Sequence, residues 1–299
     1  MKENRFTRHL SVKIVIAFGI LSIALTIFSS LVYLLGAYQD DKYMTLLFGV
    51  IQNLFVFALS AVLMAKICYK EVAQPLKLNV APTWKGIGMV VLLYLASFPA
   101  LNWLVDWNMH ITFPDSMHDL YTTLKKIEDM AQEQTKFMLK GNDFFTMVLM
   151  VLMVGVLTGF GEEIFFRGAL LGAFERKRSI NIHVSVWTVG ILFSAFHFQF
   201  FGFFPRCYLG ILLGYLFVWS RSLWLPVICH ALNNSLVVIT YYLSEQKIVN
   251  ADAIDKIGIP QNGEFPLLAL ASAVLTIALI YATSKVLKSE HAANAPKEN

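Results

Sequence analysis

The chain has 299 residues, of which 57 % are hydrophobic and 15 % charged, and its mean hydropathy is +0.60. That balance excludes one or two soluble domains, and the apolar runs are long enough to cross a bilayer. A net charge of +4 spread along such a chain points to no nucleic-acid partner; its distribution reports orientation instead.

The N-terminal stretch MKENRFTRHLSVK is basic and leads into an apolar run. That run is too long for a signal-peptide core and lacks a small-residue cleavage site, so it reads as a retained first span. Eight spans are predicted, at 14–36, 43–67, 86–105, 144–166, 185–201, 207–220, 223–243 and 266–284. Each is close to the ~20 apolar residues needed to cross a hydrocarbon core, the fifth and sixth being short and aromatic-rich. An even number places both termini on one side. Of the 24 Lys and Arg residues, fifteen then fall in the segments on that side, Arg176, Lys177 and Arg178 among them. The excess of positive charge makes that side cytoplasmic. The expected fold is therefore all-α: a polytopic membrane helix bundle forming one domain over 1–299, with both termini cytoplasmic.

Two outer segments stand apart. In 117–140 Met117, Leu120, Leu124, Ile127 and Met130 recur at helical spacing, which predicts an amphipathic helix lying on the membrane or the bundle, or serving as a lid or substrate guide. The second, 244–265, reads as a polar loop with Pro260 and Gly263 as turn signals. The tail, 289–299, reads as disordered. Cys68, Cys207 and Cys229 lie near or within apolar runs with no CxxC and read as packing residues.

Chemistry concentrates within 155–237. The stretch GVLTGFGEEIFFRGALLG puts Glu162, Glu163 and Arg167 inside a span. Each charge at the centre of a spanning helix costs roughly 2.5–3.5 kcal/mol, a cost normally tolerated for function. Glu163 and Arg167 are four apart and can pair on one face, which leaves Glu162 to find another partner. Phe193 and His197 share the same spacing on the fifth span, as do His230 and Asn234 on the seventh. Counting from the connecting turns at 1.5 Å per residue brings Glu162 and His197 to one depth, with His230 shallower. The spacings Gly155/Gly159, Gly168/Gly172 and Gly210/Gly214 predict close helix approach and burial of the fourth and sixth spans.

GEEIFFRG, FSAFH and HALNN, in that order on separate spans, resemble the EExxxR, FxxxH and HxxxN motifs of the CPBP intramembrane proteases. That family comprises CAAX-prenyl endopeptidases and bacteriocin-processing or immunity proteins. The resemblance covers about 80 residues and leaves the first 140 unmarked. It implies hydrolysis of a peptide bond in a membrane-embedded or lipidated protein or peptide, with the bilayer as the other partner and a bacterial inner membrane as the location. The residue chemistry agrees, because a carboxylate in a low-dielectric site is a stronger base than one in water. Glu162 would activate water with Glu163 held by Arg167, His197 would assist, and His230 and Asn234 would stabilise the oxyanion. A metal-free site is favoured. Glu162, His197 and His230 could instead hold zinc with an open position for water. Binding or immunity without cleavage is the rival reading, and a transporter is another, although no inverted repeat or broken helix is evident.

Overall fold

A computed structural model describes residues 7–35, 41–141, 143–177, 179–261 and 264–294, which are helical with no strand among them. In chain order the helices are α1 (Leu10–Leu34), α2 (Lys42–Tyr69), α3 (Trp84–Met109), α4 (His118–Leu139), α5 (Phe144–Glu175), α6 (Ile182–Ala195), α7 (Phe203–Ser220), α8 (Trp224–Glu245), α9 (Ala251–Asp255) and α10 (Leu267–Asn294). Seven are long and apolar enough to cross a membrane: α1, α2, α3, α5, α7 together with the turn Phe200–Gly202, α8 and α10. Their outer faces expose Val15, Ile23, Ile27, Leu92, Leu152, Leu275 and Ile277, as expected of a bundle whose solvent is hydrocarbon.

Local signals explain where the helices begin. Asp41, Thr83, Asp143 and Asn181 each accept a hydrogen bond from a backbone N–H in the first turn of α2, α3, α5 and α6. Pro99 inside α3 lacks a helix donor, and the neighbouring backbone is served from α10: Ser272 Oγ donates to Ala96 O and accepts from Ala100 N. In the connection between α2 and α3, Lys77 reaches Glu175 at 2.7 Å and lies 3.9 Å above the Phe217 ring. Burial pushes its ammonium down to about 8, against the opposing pull of Glu175.

The expectation of eight spans is corrected at the fifth. Instead of 185–201, α6 occupies 14 residues and stops at Ala195. Phe198 then takes the left-handed conformation (φ 55°), which turns the chain toward α7. FSAFHFQFF stays apolar through the break, so hydropathy runs straight across it. The tail is also corrected in part: α10 continues helical to Asn294, and residues 295–299 lie outside the described ones, as do Lys2, Arg5, Arg178 and Gly263. The segment 244–265 contains the short helix α9.

The largest cluster of buried side chains joins α1, α2, α5, α6 and α7 around Phe57, Phe165, Phe166 and Phe193. α10 lies along α3, α6 along α7, and α8 along the first half of α5. Two π-helical stretches, Val151–Leu157 and Ile164–Leu171, interrupt α5, and a third, Gln52–Ala58, interrupts α2. π-turns inside α-helices occur often at functional sites.

Candidate active site

The six α-helical residues Thr158–Glu163 sit between the two π-helical stretches of α5 and carry both glutamates. Gly159 lets α8 approach, since a Cβ there would lie 3.1 Å from Ala231 N. That contact delivers His230. Its Nδ1–H donates to Glu163 Oε1 at 2.8 Å, and the same oxygen accepts from Arg167 Nη1 at 2.6 Å. Arg167 Nη2 donates to Gly210 O of α7 at 2.8 Å, and the guanidinium lies 4.5 Å above the Phe193 ring. Glu163 and Arg167 are fully buried, and His230 is 4 % exposed.

Glu162 is not part of that pairing. Its Oε2 is buried with no hydrogen-bond partner among the described residues and lies 3.9 Å from His230 Nε2. This is too long for a hydrogen bond. The carboxylate also borders a cavity of about 970 Å³ between α1, α2, α4 and α5, lined mainly by apolar side chains such as Phe28, Leu46, Phe57, Met130 and Met153.

His197 lies two residues past the end of α6. Its Nδ1–H donates to Phe193 O at 2.9 Å, which caps a carbonyl the helix end would otherwise leave open. Phe193 is the hub of this side, with ring centroids 5.1 Å from His197 and 5.8 Å from His230, both edge-on. Asn234, one turn beyond His230, donates from Nδ2 to Val154 O at 3.2 Å and accepts from Asn233 Nδ2 at 3.0 Å. The structure therefore joins Glu163, Arg167 and His230 directly, sets Glu162 beside them, links His197 through Phe193, and places Asn234 on the α5–α8 seam.

Both imidazoles give up Nδ1–H to an oxygen acceptor, so each neutral ring offers an Nε2 lone pair. That is also how metal-ligating histidines are held. Even so, among the described residues no three His, Cys, Asp or Glu side chains sit closely enough to hold a metal ion.

Sequence reasoning passed over α2, which supplies Asn53 and Thr158's partner surface to the Glu162 cavity. The available signal was the amide pair Gln52 and Asn53 inside an apolar run, outside all three motifs.

Residues 144–236 match the Rce1-like family model, described as type II CAAX prenyl endopeptidase Rce1-like. No curated protein and no solved structure matches the chain. The matched segment begins with α5 and holds every site residue expected from the three motifs.

Proposed function

From an Rce1-like core at residues 144–236 we propose that this protein is an intramembrane endopeptidase, cutting a peptide bond in a membrane-embedded or lipidated protein or peptide. The observation that carries the reading is the buried chain Arg167–Glu163–His230 with a free Glu162 carboxylate 3.9 Å from His230 Nε2. Two acceptors at that spacing can each take one O–H of a single water, which fixes its oxygen for attack.

Glu162 takes a proton as the water oxygen bonds to the scissile carbonyl carbon. The tetrahedral intermediate then expels the amine, which carries away a proton as the C–N bond breaks. His230 serves as the second proton carrier: its imidazolium would be held by Glu163, whose own charge is balanced by Arg167. This modifies the role expected from sequence. With Nδ1–H committed to Glu163, His230 donates to an oxyanion only once it is protonated. Asn234 spends one Nδ2 hydrogen on Val154 O and keeps a second for the oxyanion. His197, tied at Nδ1, can accept through Nε2.

The test compares membrane peptidomes of cells expressing the wild type and Glu162→Ala at matched levels. Neo-termini present only with the wild type are expected; equal peptidomes with both proteins inserted would move the reading to binding or immunity without cleavage. Zinc is the second reading, because each imidazole is tied at Nδ1 and offers a lone pair at Nε2. Metal analysis of purified active protein decides it, since stoichiometric zinc lost in His230→Ala would establish a zinc peptidase.

A further inference from the structure

Asn53 lies in the π-helical stretch of α2 and is 7 % exposed. Both hydrogens of its amide are spent: Nδ2 donates to Gly49 O at 2.8 Å and to Thr158 Oγ1 at 3.1 Å. Thr158 Oγ1 in turn donates to Met153 O at 3.2 Å. Thr158 stands four residues before Glu162, on the same helical face. On the other side of Asn53 lies Gly161, where a Cβ would come 2.9 Å from Asn53 O and 3.0 Å from Asn53 Oδ1. Asn53, Thr158 and Glu162 border one cavity. The asparagine thus holds the six-residue helical stretch that carries Glu162 at Thr158 and packs against it at Gly161, in addition to the contacts that Gly159 and Glu163 make with α8.

We infer that Asn53 and Thr158 form a clasp that sets the rotation of Thr158–Glu163 and so aims the Glu162 carboxylate. Asn53 is a positioning residue, acting through Thr158 and never on the substrate. The inference rests on the peptidase reading for its consequence in turnover, though the clasp itself does not depend on it.

The experiment uses the full chain in proteoliposomes and an internally quenched peptide ending in a farnesylcysteine–aliphatic–aliphatic–methionine box. Thr158→Val keeps the shape and removes the hydroxyl, while Thr158→Ser keeps the hydroxyl. Thr158→Val and Asn53→Ala should each lower kcat by about 10- to 100-fold with KM within about twofold, as expected when a base is mis-aimed. Thr158→Ser should stay near wild type, and the double variant should be little worse than either single one. Equal losses in Thr158→Ser and Thr158→Val, a loss confined to KM, or additive losses would each overturn the clasp. A second readout serves if the wild type leaves this peptide uncut, an outcome that counts against the peptidase reading alone. Dicyclohexylcarbodiimide labelling, read by mass spectrometry, gives the ratio of modification at Glu162 to that at Glu128. Asn53→Ala and Thr158→Val should change that ratio severalfold, and an unchanged ratio overturns the inference.

Discussion

Glu163 Oε1 accepts from both Arg167 and His230, so one oxygen serves stability and site chemistry together. The two roles can be separated. Glu163→Ala would leave Arg167 as an uncompensated buried charge, a loss of about 3–5 kcal/mol. Adding Arg167→Met removes that charge, and denaturant titration should find most of the stability restored. Turnover of the double variant should stay lost, because His230 no longer has the acceptor that fixes its tautomer. Recovery of turnover with stability would reduce Glu163 to a packing role. The pairing of Glu163 with Arg167 was legible in the sequence because i, i+4 spacing and the cost of intramembrane charge require it. The contact of His230 with Glu163, and not with Glu162, was not legible. Adjacent glutamates differ by about 100° around the helix, and only the docking angle of α8 decides between them.

Among the elements, the contact of α6 with α7 has little slack. A Cβ on Gly190 would lie 2.7 Å from Ile211 Cγ1 and 2.9 Å from Ile211 N, next to the Gly210 carbonyl that receives Arg167. Gly190→Ala should therefore push the helices apart and reduce turnover at least tenfold, whereas Gly88→Ala on α3, with nothing within 4 Å of the new Cβ, should leave it unchanged. Loss of peptide cleavage in both or neither would reject the assignment. The sequence marked Gly210/Gly214 as a close-approach pair but passed over Gly190, which has no glycine partner four residues away. It likewise passed over Asn53, since amides in an apolar run, here Gln52 and Asn53, are ordinarily interhelical glue. The amphipathic α4 was fully legible from periodicity, to within one residue at each end of 117–140.

For the molecule as a whole, hydropathy located each helix long and apolar enough to span a membrane but could not see where α6 ends. A second cavity, about 760 Å³, lies on the far side of α4 and is lined by Glu128, Gln199, Arg206 and Tyr241; Ala131 borders both cavities. α4 is thus a wall shared by both cavities.

The early stop of α6 has a consequence for supply. Fourteen residues reach about 21 Å, short of a hydrocarbon core of roughly 30 Å. Beyond Ala195 the backbone is irregular around Phe198, and at membrane depth such backbone is tolerated only inside protein or beside a hydrated space. Gln199, within that stretch, borders the second cavity. On the peptidase reading the reaction consumes a molecule the bilayer excludes, and this polar border two residues from His197 is the part of the fold suited to hold it.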